Sequence, residues 1–207
     1  MLHLKKPPKR IKDEFWVWGH PIGSHNKEYN LPAPSTINPV DGADFLGIRN
    51  LFMVRYGNQP ASPYDDLAKS LSFLKVVWSL VGAGGRTNLE ERQEVINLAK
   101  KFPNITGFIF DDFWRWGPEE RKGIILSLEE MNELRERTKD YDLWSVCYVS
   151  ELFREEIKPY LPLFDRHTLW TWEPFHLRTI DDKLNRFEDL IPDGKRYMGV
   201  YLWDYGG

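Results

Sequence analysis

Two carboxylates stand side by side in Ile105-Thr-Gly-Phe-Ile-Phe-Asp-Asp-Phe-Trp114, "ITGFIFDDFW", after a nearly continuous apolar run and before two aromatic rings. Two further acids end aromatic runs in the same manner, Glu173 after "LWTW" and Asp204 after "YLW". Carboxylates delivered from separate strands suit glycosidic chemistry. One acid protonates the leaving oxygen while another attacks the anomeric carbon or activates water. The two need opposed pKa values, and burial against rings such as Trp114 or Trp172 would raise that of the acid. Asp111, Asp112, Glu173 and Asp204 are therefore the catalytic candidates. Plainer readings stand beside these: two turn-forming or helix-capping aspartates at 111–112, and a helix-start acid at Glu173, which precedes Pro174. Glu151, in "SELFREE", reads either as a substrate-binding acid or as the start of a helix. Strict alternation along a strand would send Asp111 and Asp112 to opposite sides, one into a site and the other onto a loop or an arginine.

Polar groups and rings collect at the ends of the other apolar runs as well. The first ends in Trp18-Gly-His20 and continues to His25 and Asn26; the second ends at Arg55-Tyr56; the fifth runs into Tyr148. With Trp114, Trp172 and Trp203, these are the candidate substrate-binding residues. Nine tryptophans and an aromatic fraction of 14% are the unusual feature of the composition. Aromatic faces stack on the apolar faces of sugars, although rings also build ordinary cores. Trp18, Trp114, Trp172 and Trp203 are expected to share one cleft with Tyr56 and Tyr148.

The elements that must position these residues are seven strand-like runs: Phe15–His20, Gly47–Tyr56, Leu74–Val81, Ile105–Phe110, Leu143–Val149, Arg166–Trp172 and Tyr197–Trp203. They are rich in β-branched and aromatic residues, and several are apolar almost throughout, as strands covered on both faces are. Helical patterns lie between them. Asn88 with Glu91 and Ser127 with Glu130 have the spacing of helix N-terminal caps, and Ile180, Leu184, Phe187 and Leu190 recur at helical intervals. Weaker helices are expected over Pro63–Phe73 and Ser150–Tyr160, and 31–39 reads as part of a long first loop. Strands alternating with helices imply right-handed βαβ units and a parallel sheet. Seven of them point to a TIM-barrel-like (β/α)8 fold whose eighth strand is missing. In that fold the site lies at the carboxyl ends of the strands. Open first and seventh strands would then pair with a second copy or partner, or be covered by the 1–14 arm and the 21–43 loop. The segment "VGAGGRTN" at 81–88 lacks the lysine of a phosphate-binding loop and reads as a strand-to-helix connection.

Bulk properties narrow the classes. The 207 residues form one expected domain with a basic arm at 1–14; 42% are hydrophobic and 29% charged. A net charge of −3 gives no pull toward nucleic acid or anionic lipid. No apolar run is long enough to span a membrane, and the basic amino-terminal segment has no signal-peptide core, so a cytoplasmic location is the default expectation. The one cysteine, Cys147, lies in an apolar run and reads as a buried thiol. No cofactor is expected.

"ITGFIFDDFW", "LWTWE" and "MGVYLWDYGG" resemble the strand ends of glycoside-hydrolase-type TIM-barrel proteins, with similarity spread from Phe15 to Gly207. There is a fainter similarity to chitinase-type barrels, whose fourth strand carries D-x-x-D-x-D-x-E. Here the acid position of that motif falls on Phe113 when Gly107 and Asp111 are aligned to it, so chitinase activity is not implied. Nor does the strand end in the Asn-Glu pair of the large retaining-glycosidase clan. The resemblance implies a hydrolase acting on a carbohydrate substrate. Two alternatives remain open: a metal-dependent sugar isomerase, epimerase or aldolase using His20, His25 and the acids, and a sugar-binding barrel without catalysis.

Overall fold

The computed structural model describes residues 10–31, 33–115 and 123–202. Its centre is a seven-stranded sheet of β1 (Trp16–Gly19), β2 (Asn50–Met53), β3 (Lys75–Val81), β4 (Ile105–Phe110), β7 (Asp142–Tyr148), β8 (Arg166–Trp170) and β9 (Lys195–Met198), hydrogen-bonded in that order. Every neighbouring pair is parallel. A short antiparallel pair, β5 (Trp114–Arg115) with β6 (Gly123–Ile124), is inserted after β4. The helices are α1 (Pro39–Leu46), α2 (Asp65–Ser70), α3 (Leu89–Lys101), α4 (Leu128–Arg137) and α5 (Ile180–Leu190).

Local sequence explains most helix starts. The Asn88 side chain accepts the Glu91 N–H at 2.9 Å, and Ser127 and Glu130 satisfy one another's backbone N–H groups. Asn38 caps α1 with Pro39 in its first position, so part of the expected long first loop is helical. The helix expected over Ser150–Tyr160 is instead a series of 3-10 turns at Val149–Glu151, Glu155–Ile157 and Leu161–Leu163. Pro159 and Pro162 lack the N–H that a continuous helix needs and bias the preceding residues away from helical angles.

Alternation divides the sheet into two faces. Leu51, Met53, Val76, Trp78, Phe108, Phe110, Leu143 and Leu169 face the helices and pack with Val95, Ile96, Met131, Leu134 and Phe187. The other face carries Trp16, Trp18, Phe52, Val77, Ile109, Trp144, Val146 and Trp170. Across it the Trp16 and Trp144 rings lie 4.9 Å apart, and those of Trp18 and Trp170 5.1 Å. In a flat sheet β1 and β8 would be separated by about 24 Å at normal strand spacing. The sheet is therefore strongly curled, a half-barrel with aromatic rings filling its concave side. Among the described residues β1 and β9 end the sheet and no ladder joins them. Just before β1 the chain is fastened to β2, since the Asn50 side-chain amide donates to the carbonyls of Asp13 and Phe15, while residues 1–9 of the expected arm lie outside the described residues. No helix among the described residues is long and apolar enough to cross a membrane.

Candidate active site at the carboxyl ends of the strands

The ladder between β3 and β4 runs one residue past β4, with the Asp111 N–H donating to the Val81 carbonyl at 3.0 Å. Asp111 is thus still extended, two residues on from the concave-facing Ile109, and is 4% exposed. Alternation stops at the next residue. Asp112 has φ +46°, a left-handed conformation that costs a non-glycine residue about 1 kcal/mol and that aspartate tolerates better than most. The turn brings the two acids together instead of sending them to opposite faces. Asp112 Oδ2 accepts the Gly84 N–H at 2.7 Å. The Tyr148 side chain, at the end of β7, lies within reach of the charges of both aspartates, and its hydroxyl is 3.5 Å from that of Tyr201.

The connection after β3 is built for this approach. A Cβ on Gly85 would stand 2.9 Å from the Asp112 carbonyl and 2.7 Å from Ile125, and φ at both Gly84 and Gly85 is positive. The glycines of "VGAGGRTN" serve a carboxylate of the protein itself. Glu151 adds a third acid: it is 2% exposed, and its Oε2 accepts the Tyr148 N–H at 2.8 Å.

Burial of three neighbouring carboxyls sets their protonation. Desolvation first, then the charges of Asp112 and Glu151, push Asp111 well above the ordinary carboxylate range. Its Oδ1 is buried with no hydrogen-bond partner. Glu151 is pushed up to about 8 by burial, against the pull of the Tyr148 N–H and Arg154. Asp112 is raised by burial, with the Gly84 N–H favouring its charged form. Asp112 is also the least enclosed of the three, being only partly buried. Tyr148 is held well above the usual phenol range by burial and by both aspartates.

The histidines are differently placed. His20 Nε2 accepts the Trp18 indole N–H at 3.1 Å, and Nδ1 lies 2.9 Å from the Val54 carbonyl, to which it donates. Both ring nitrogens are thus used, and burial lowers the pKa to about 4, so the ring is neutral. His25 packs against His20, Tyr56 and Tyr29, with ring centroids 4.8, 4.3 and 5.3 Å away. Tyr56 donates to Glu28, and Asn26 accepts the Ser35 N–H at 2.8 Å, which pins the first loop to itself. Arg55 is ion-paired with Glu91. Among the described residues no group of three or more His, Cys, Asp or Glu side chains is arranged to hold a metal ion.

The remaining expected residues divide. Glu173 lies beyond the end of β8 before a 3-10 turn; its side chain is 47% exposed and sits 3.9 Å from His176. The neighbouring charges that raise Asp111 are those of Asp112 and Glu151. Trp114 does not reach the mouth: it is 1% exposed and packs on the helix side with Phe113, Tyr160 and Phe164. Trp18 sits inside the half-barrel against Trp170. Trp172 is at the rim, 38% exposed. Asp204 and Trp203 lie outside the described residues. The sequence reading missed Tyr29 and Tyr201, whose rings both meet Trp172, and the Gly84 N–H. Only the recurrence of aromatic residues after strands, as in "HNKEYN" and "GVYLW", signalled the two tyrosines. The chain matches no family model, and a search among curated proteins finds no significant relative.

Proposed function

We propose that the chain is a variant (β/α)8 barrel that hydrolyses a glycosidic bond. The observation that carries this reading is the pair of adjacent carboxyls at the end of β4, Asp111 buried with an unpartnered Oδ1 and Asp112 partly open and accepting the Gly84 N–H at 2.7 Å. Acid–base cleavage of an acetal requires two carboxyls in unlike environments, and burial holds the proton on Asp111 more strongly than on the partly open Asp112. Asp111, whose Oδ1 has no internal partner, donates its proton to the leaving glycosidic oxygen. Asp112, as the carboxylate, activates water or attacks the anomeric carbon. Glu151 is a positioning residue, since its Oε2 holds the Tyr148 N–H at 2.8 Å. Trp172, exposed beyond the end of β8 with Glu173 after it, would meet a substrate at the rim. The rings of Trp172, Tyr29 and Tyr201 suit the apolar faces of a sugar.

The test is a panel of aryl glycosides and oligosaccharides with purified protein. Hydrolysis of at least one, abolished in Asp112→Asn, supports the reading. Hydrolysis that survives Asp112→Asn unchanged moves the chemistry away from β4.

A further inference from the structure

Outside the candidate acids, a cavity of about 400 Å³ lies between the connection after β3, the start of α3 and the segment from Ile125 to Glu130. Every residue that lines it is among the described ones. We infer that this cavity binds the oxyanion of a small organic molecule, a phosphate ester or a carboxylate, with Arg86 and Arg92 as the groups that hold the charge. Its volume falls within the range of about 300–1,000 Å³ usual for small-molecule sites.

Unmatched charge marks the cavity. Arginines elsewhere have carboxylates against them: Arg55 pairs with Glu91, Arg135 with Asp165 and Arg166 with Asp142. Among the described residues neither Arg86 nor Arg92 forms an ion pair, yet both line the same cavity. Arg92 is partly buried, and its Nη1 donates to the Thr87 hydroxyl at 3.1 Å. That hydroxyl gives its own proton to the Leu80 carbonyl at 2.7 Å. A neutral acceptor therefore aims the guanidinium without neutralising it, and burial lowers the Arg92 pKa from its ordinary value. The Arg86 side chain is exposed, but its backbone is fixed, since its carbonyl accepts the Gly82 N–H at 2.9 Å. Guanidinium groups hold carboxylate and phosphate through paired N–H donors. Glu130 is the one carboxylate in the lining, and its Oε2 is taken by the Ser127 N–H at 2.7 Å. Two cations against one anion leave the cavity positive.

The walls say what carries the anion. Leu126 is buried and Ile125 partly buried beside Gly85. A Cβ on Gly85 would stand 2.7 Å from Ile125 Cδ1, so the glycine lets this apolar wall close up. Such a wall suits an organic body in place of free phosphate. Gly85 also packs on the Asp112 carbonyl, so the cavity backs onto the turn of the candidate acids without containing them.

Calorimetric titration of the whole protein, in a buffer free of phosphate and sulfate, tests this without reference to hydrolysis. The probes are phenyl phosphate, benzoate, inorganic phosphate and benzyl alcohol. Phenyl phosphate or benzoate is expected to bind with Kd of about 1 mM or tighter, and the tighter of the two names the head group. Inorganic phosphate should bind at least about threefold more weakly than phenyl phosphate, and the neutral alcohol should not bind. Arg86→Ala and Arg92→Gln should each weaken binding about tenfold or more. Glu130→Gln keeps a capping residue and removes the opposing charge, so it should tighten binding about threefold, a change that damage to the fold would not produce. No binding of either organic anion up to about 20 mM overturns the inference. So does binding that both arginine substitutions leave unchanged, or equal binding of benzyl alcohol. Equal affinity for inorganic and phenyl phosphate overturns the organic ligand. If Arg92→Gln does not fold, Arg86→Ala, at an exposed side chain, decides the point.

Discussion

Asp111-Asp112 and Glu173 look alike in sequence, each following an aromatic-rich apolar run, and the fold treats them oppositely. The β4 acids lie at the middle of the sheet, between β3 and β7. The loop after β3 lays a backbone N–H on one of them, and Tyr148 and Glu151 arrive from the β7 side. Glu173 follows β8, which is next to the sheet's last strand, and the chain has already turned away: the Thr171 hydroxyl holds the Glu173 carbonyl at 3.0 Å, and the side chain faces solvent beside His176. An acid at the centre of a curled sheet collects neighbours from both sides and loses water. The same residue near the edge keeps its water. Chemistry that needs a perturbed carboxyl is therefore expected at the centre, with recognition at the rim.

The sharpest way to break this contrast is to compare Asp112→Asn with Glu173→Gln on any hydrolysed glycoside. The first is expected to lower kcat/KM by about a thousandfold or more and the second by less than about tenfold. Equal losses would dissolve the distinction. Rings divide by the same rule. Trp144, buried against Trp16, Phe52 and Tyr197, is expected to cost about 3–5 kcal/mol of stability when replaced by alanine. Trp172→Ala should cost about 1 kcal/mol or less while weakening sugar binding. Denaturant midpoints measure both, and similar shifts would show that the rim ring is a core ring.

Protonation sharpens the comparison further. A carboxyl raised from 4.5 to about 8 in the folded state contributes stability that is fully present below pH 4.5 and is lost as pH rises through 8. Glu151→Gln cannot titrate. Relative to the wild type, the variant should therefore gain stability steadily between about pH 4.5 and 8, by a few kcal/mol in total, and no more above that. His20 and His167, both lowered to about 4 by burial, cancel in this difference. A flat difference across the window would mean that Glu151 is not desolvated. The smallest effect is expected at the edge: loss of the Glu173–His176 contact should change stability by less than about 0.5 kcal/mol, and added salt should erase even that.

Elements governed by near neighbours were legible from the sequence. The caps of α3 and α4 depend on residues three apart, and the seven apolar runs needed only composition and length to be recognised as parallel strands in chain order. The turns at 149–163 were legible in principle, since Pro159 and Pro162 were present to be weighed. The extent of the last strand was not: Gly199 lies flat on the Trp170 ring, where a Cβ would come within 2.1 Å of it, and the chain leaves the ladder there.

What the sequence determined by itself was the set of strands, the helices with caps, and the clustering of acids and rings at strand ends, because each depends on backbone preference and periodicity over a few residues. Only the tertiary structure decided which acids share an environment and which rings share a cleft. Gly84 and Asp112 are 28 residues apart, and Trp114 and Trp172 are the same residue type turned to a core and to a rim. The curl of the sheet brings Tyr29 to Trp172, and the left-handed turn at Asp112 sets two adjacent carboxyls against each other. Desolvation and charge coupling act through space, so they follow from where segments meet and not from their order along the chain.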